Sequence, residues 1–175
     1  MTAYEMPRPV NWSKDSVESF AAEARTVMGH GGSPAAHSLK SDLRELGGKI
    51  SYVYDTNLLK AESHKDFEIS LSPNTTVDHD NFTLARVLGH LAMHLSDRPI
   101  SVPRGWIEDD LYRRAGCEAD CFAAEFLMPR DEFPDVWKRL GGDLAFVAVH
   151  YGVIRSRALQ RAQSLGLYSI AEGRS

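Results

Sequence analysis

Several features that would each assign a function class are scarce or missing in this chain. The 175 residues contain two cysteines, Cys117 and Cys121, which stand four apart on one predicted helix, so a disulfide framework is not expected. The longest apolar run, residues 144–149, is too short to span a bilayer. The first residues show no basic start before an apolar run. We therefore expect a cytoplasmic protein without a membrane partner.

Motifs for two common chemistries are also missing. The chain has no Gly-x-Ser-x-Gly elbow for a nucleophilic serine. The glycines around His30 are not followed by the lysine of a phosphate-binding loop. A net charge of −4 argues against a protein that coats nucleic acid through bulk charge.

The apolar periodicity predicts an α+β chain. Ser13 caps a first helix and Pro34 opens a second. Two alternating runs, residues 49–54 and 67–71, predict strands, and the polar residues 55–66 between them predict a loop. The later predictions are a helix over residues 81–95, a proline-containing loop over 98–104, a helix over 108–128 ended by Pro129, and short helices over 133–140, from Asp143, and over 154–165.

The helix predicted over residues 81–95 carries an incomplete metalloprotease motif. A zinc protease of the His-Glu-x-x-His type needs two imidazoles one helical turn apart and a carboxylate directly after the first. His90 occupies the second histidine position, but Arg86 stands at the first and Val87 at the carboxylate. A guanidinium group has no lone pair for a metal, and valine has no proton to transfer. We predict no catalytic residue and no zinc cofactor at this motif.

A second motif follows, Glu-Ala-Asp-Cys-Phe-Ala-Ala-Glu-Phe-Leu-Met-Pro from Glu118 to Pro129, and then Tyr-Gly-Val at 151–153. Together, in this order, the motifs resemble the ImmA/IrrE family of metallopeptidase-like proteins over about residues 35–168. The resemblance implies a zincin-like (gluzincin-like) domain with a small antiparallel sheet packed on helices, plus a short C-terminal helical segment like a helix-turn-helix. The implied division is a lead-in with the first helix (1–33), a peptidase-like core (34–130) and the C-terminal segment (131–175).

By position, the resemblance implies that His90 and Glu118 are the remnant of a former metal site. We expect Arg86 either to replace the ion and pair with Glu118, or to reach solvent beside an exposed Glu118. Two interpretations of His94 also stay open. It either joins His90 and Glu118 in a shifted zinc site, or is a helix-end residue with a backbone hydrogen bond.

Members of the family regulate phages, mobile elements and stress responses, typically by cleaving or inactivating a helix-turn-helix repressor. The resemblance therefore implies a catalytically inactive regulator that binds a helix-turn-helix repressor or an antitoxin, with the strand edge at 66–72 as a docking edge. One alternative is an active zinc endopeptidase that uses the shifted site to cleave a repressor. The other is a DNA-binding regulator whose Arg155, Arg157 and Arg161 project from a C-terminal helix.

Overall fold

The computed structural model describes residues 3–31, 38–105 and 107–169, and within these ranges it contains seven α-helices and four β-strands. The α+β prediction is confirmed. The element bounds are α1 Lys14–Val27, α2 Leu39–Glu45, β1 Gly48–Tyr52, β2 Asn57–Ser63, β3 Asp66–Leu71, α3 Val77–His94, β4 Ile100–Pro103, α4 Asp110–Leu127, α5 Phe133–Arg139, α6 Leu144–Tyr151 and α7 Arg155–Ser164. None of the helices in these ranges combines the length and apolarity needed to cross a membrane.

The four strands form one mixed sheet in the order β1-β3-β2-β4. β1 runs parallel to β3, whereas β2 is antiparallel to both β3 and β4. The predicted antiparallel sheet and the predicted loop over residues 55–66 are therefore both wrong. The missed strand has a local cause, because a register shift between Asn57 and Leu59 breaks the alternation of β2 and buries the adjacent Leu58 and Leu59. The sheet is mixed because β3 pairs with β1 in parallel and with β2 in antiparallel orientation.

The second error concerns the edges of the sheet. Residues 98–104 were expected to be a loop, but β4 forms there and ends at Pro103, a residue that an outer strand tolerates. β3 lies inside the sheet, so the strand at 66–72 does not offer a docking edge. The outer side of β4 is partly covered, because Glu5 donates to the Pro99 carbonyl and accepts from the Ser101 amide, each at 2.9 Å.

The helices pack around two apolar clusters. The first joins α1, α2, the sheet, α3 and most of α4. The second begins at Met128 and is made by α5, α6 and α7. The predicted cap at Ser13 is confirmed, since its Oγ accepts from the Ser16 amide at 3.1 Å. The start of the second helix at Pro34 lies outside the described residues, and the division into three segments stays a prediction.

Candidate functional site

Helix α3 carries the incomplete motif into the middle of the protein. It starts one turn earlier than predicted because Thr76 caps it, accepting from the His79 amide. Spacing by four residues places Arg86, His90 and His94 on one side of this helix.

Helix α4 crosses α3 closely at a glycine. A Cβ atom at Gly89 would lie 3.1 Å from the ring of Phe122, so a side chain there would force the two helices apart. The close approach brings Glu118 of α4 to the C-terminal end of α3, where His94 is the last residue.

Three of the predicted site residues form one hydrogen-bonded chain. His90 Nδ1 lies 2.9 Å from His94 Nδ1, and His94 Nε2 lies 2.9 Å from Glu118 Oε2. His90 is fully buried and the side chain of His94 has no exposed surface. His94 is the last residue of α3, as one interpretation had it, but its two ring nitrogens have side-chain partners rather than the expected backbone one.

Burial favours the neutral form of both imidazoles by lowering their pKa values. It lowers the pKa of His90 well below its ordinary value, and the neighbouring His94 and Arg86 act in the same direction. Burial also lowers the pKa of His94, although the hydrogen bond and charge of Glu118 oppose that shift. A neutral imidazole has one N–H and one lone pair, so each ring has a defined tautomer here.

The tautomers follow from the chain of contacts. Because a carboxylate oxygen accepts, His94 donates from Nε2 to Glu118 and accepts at Nδ1. His90 then donates from Nδ1, which leaves a lone pair on its Nε2. Among the described residues, this buried Nε2 has no hydrogen-bond partner.

Glu118 is held by the N-terminal lead-in as well as by His94. The amides of Val10 and Asn11 donate to its two oxygens at 3.0 Å and 2.7 Å. Asn11 adopts a left-handed backbone with φ of 59°, and its side chain accepts from Arg114. Three N–H donors thus satisfy a carboxyl group that is only 12% exposed.

Arg86 takes a different partner from the one expected. Its Nε lies 2.9 Å from Asp120 Oδ1, so the predicted pairing of Arg86 with Glu118 is wrong. The contact has the distance of an ion pair but not the angles of a hydrogen bond. Gly116 stands one turn before Asp120, and a Cβ atom there would lie 3.1 Å from Arg86 Nη2.

The side chains that could ligate a metal at this place are bound to one another and to backbone amides in this structure. His90 Nε2 offers one buried lone pair, but Glu118 is engaged by three N–H donors and His94 is directed at His90 and Glu118. Val87 is fully buried among apolar side chains and supplies no base. Within the described residues, no group of three or more His, Cys, Asp or Glu side chains is arranged to hold a metal. His90, His94 and Glu118 form a hydrogen-bonded chain in this structure, and the shifted zinc site stays a prediction.

The sequence model of the IrrE N-terminal-like domain matches residues 53–163. The chain belongs to the ImmA/IrrE family. A comparison with curated proteins finds no match. The match covers the positions to which the resemblance assigned the family's motif, Arg86, Val87, His90 and Glu118, and their roles stay a prediction.

The C-terminal arginines of this family member have separate environments. Arg161 is buried, donates to Glu18 at 2.9 Å and pairs with Glu125. The prediction that it projects from the surface is therefore wrong, because α7 turns this face onto α1 and α4. Arg155 is exposed and Arg157 is half-buried, and DNA contact through them stays a prediction.

The two cysteines are free and lie on α4 as predicted. Cys117 is exposed, whereas Cys121 is partly buried. Burial raises the pKa of Cys121 to about 11, so its thiol stays protonated at neutral pH. A protonated thiol is a poor nucleophile and a poor metal ligand, which favours a packing role for Cys121.

Proposed function

We propose that this chain is a non-catalytic member of the ImmA/IrrE family that acts in the cytoplasm by binding another protein. One observation carries the proposal. The carboxyl group of Glu118, at the family's ligand position, is engaged by N–H donors from His94, Val10 and Asn11. With Arg86 unable to ligate and no base at position 87, this arrangement favours recognition over hydrolysis.

The proposed partner is a helix-turn-helix repressor or an antitoxin, in a phage, mobile-element or stress-response setting. This choice comes from the family, whose members act on such repressors. Analogy of fold is a weaker argument than a site, so the partner class needs its own experiment. A scaffold without the hydrolytic step can hold such a protein without cleaving it.

The outer edge of β1 is the docking surface we propose in place of residues 66–72. Within the described part of the chain, β1 pairs on one side only, with β3. Apolar side chains are exposed along its end, with Tyr52 and Val53 each 43% and Tyr54 75% exposed. An extended segment of a partner gains backbone hydrogen bonds by adding a strand to such an edge, and side-chain contacts give it specificity.

Binding is tested with purified helix-turn-helix repressors or antitoxins encoded beside the gene for this protein. We expect a complex by size-exclusion chromatography and no new fragments on a mass spectrum. Val53→Glu places a charge on the β1 edge and should weaken the complex. Val149→Glu, a matched change at an exposed valine of α6, should not. Equal weakening by both variants would refute the β1 surface.

Catalysis is tested by the metal content of the protein expressed in zinc-supplemented medium. We expect almost no zinc in the parent and uptake in an Arg86→His, Val87→Glu double variant, which restores the family motif. About one zinc per chain in the parent, lost in His94→Ala, would refute the non-catalytic proposal and restore the shifted site. Cleavage of the partner by the parent would do the same.

A further inference from the structure

A cavity of about 580 Å³ lies beside Arg86, between α3, α4, the start of α7 and the residues after β4. Among the described residues, its charged lining consists of four arginines and one carboxylate, namely Arg86, Arg104, Arg113, Arg157 and Asp120. The whole chain carries a net charge of −4, so positive charge is concentrated here against the overall balance. A concave site with one sign of charge focuses the field and attracts ions of the opposite sign.

The single negative charge of Asp120 does not neutralise the positive charges of the arginines around it. Its Oδ1 lies 2.9 Å from Arg86 Nε, and its Oδ2 lies 4.0 Å from Arg157 Nη1. Two guanidinium groups from different helices thus share one carboxylate. Arg113 already pairs with Asp110, which does not line the cavity.

Two of the arginines are held in place by contacts other than ion pairs. The guanidinium of Arg157 stacks on the ring of Phe82, 3.8 Å from its centroid. Arg104 donates to the backbone carbonyls of Asp55, at 3.1 Å, and Ser70. Within the described residues, Arg104 has no carboxylate within ion-pair distance. These two side chains are therefore already ordered before a ligand binds, so binding would cost them little conformational entropy.

We propose that this cavity binds a small molecule that carries a phosphate group. The planar guanidinium group binds phosphate oxygens in pairs, and arginines approaching from separate elements match the tetrahedral spread of those oxygens. The volume lies in the usual range of about 300–1,000 Å³ for small-molecule sites. Arg86, which replaces the family's first histidine, becomes a ligand-binding residue. The proposal is independent of the protein partner proposed above.

The test is isothermal titration calorimetry on the full chain at low salt. The probes are inorganic phosphate, pyrophosphate and adenosine monophosphate, with citrate as the carboxylate comparison and a short DNA duplex as the polymer comparison. We expect binding of at least one phosphate probe. Loss of one charged hydrogen-bond donor should weaken it about tenfold or more in Arg86→Gln and in Arg157→Gln. Arg139→Gln, an exposed arginine of α5 outside the cavity, should leave it unchanged.

Two variants on different helices guard against a loss of folding, which circular dichroism would reveal. The proposal fails if none of the phosphate probes binds, or if Arg139→Gln weakens binding as much as Arg86→Gln and Arg157→Gln do. Citrate binding as tight as the best phosphate probe would overturn the ligand class. Binding of the duplex alone would overturn the small-molecule site and support nucleic-acid contact through Arg157.

Discussion

The buried neutral imidazole of His90 makes a quantitative pH prediction. In the folded chain burial lowers its pKa well below the ordinary value, whereas in the unfolded chain water surrounds the ring and the pKa is about 6.5. Below pH 6.5 the unfolded state therefore binds a proton that the folded state does not. Stability is present above that pH and is lost as the pH falls, because a lower pH stabilises the unfolded state, which binds more protons.

The size of this loss of stability follows from the same linkage between proton binding and folding. One pH unit corresponds to about 1.4 kcal/mol per proton, so lowering the pH from 7 to 5 removes at most about 2 kcal/mol through His90, the limit for a folded ring that binds no proton over this interval. His90→Gln cannot titrate but keeps an N–H that can donate to His94. The free energy of unfolding of this variant should therefore fall less than that of the parent over the same interval, by up to about 2 kcal/mol.

The assay is urea unfolding at each pH, followed by circular dichroism, with the difference between the two pH values taken within each protein. The control is His64→Gln, which removes an exposed histidine between β2 and β3 by the same exchange. The control should keep the pH dependence of the parent. If His90→Gln loses as much stability as the parent between pH 7 and pH 5, then His90 is not buried as a neutral ring and the hydrogen-bonded chain is refuted.

Two further predictions concern stability and use the same urea assay. Arg161→Met leaves the buried Glu125 without its cation, while Glu18 keeps the half-exposed Arg130, and should cost about 3–5 kcal/mol. Arg155→Met on the exposed side of α7 should change little, and equal effects would contradict the buried network. Gly47→Ala should cost at least about 1 kcal/mol, because Gly47 has φ of +110° and a Cβ atom there would lie 2.1 Å from the Lys65 carbonyl oxygen. Gly105→Ala has open space around its Cβ and should be neutral, so a neutral Gly47→Ala would contradict the packing of this turn.

The helices were predictable because their signals are local. Apart from the start of α2, apolar periodicity and capping residues such as Ser13 and Asp143 place the helices within about one turn of their observed ends. The strands were harder, because the shift at Leu59 breaks the alternation on which the prediction depends. Strand order and direction depend on pairings distant in the sequence, which no local pattern contains.

The candidate site, too, was predictable from the sequence only in part. Helical spacing and the family motif predicted that His90 and Glu118 would lie near each other. They did not predict that the amide of Val10, 108 residues away, would bind Glu118. Asparagine tolerates the left-handed conformation that Asn11 adopts here, but its presence does not specify which distant group the neighbouring amides bind.

The two departures from the family motif have a common physical consequence. A buried carboxyl group without a partner is costly, so Glu118 needs hydrogen-bond donors where Arg86 does not reach it. His94 and two backbone amides supply them here, and hydrogen bonds to a charged group contribute about 1.5–3 kcal/mol each. No cation is then needed at Glu118. The side chain at position 86 therefore turns over Gly116 to Asp120, and its charge faces the cavity in which we propose the phosphate site.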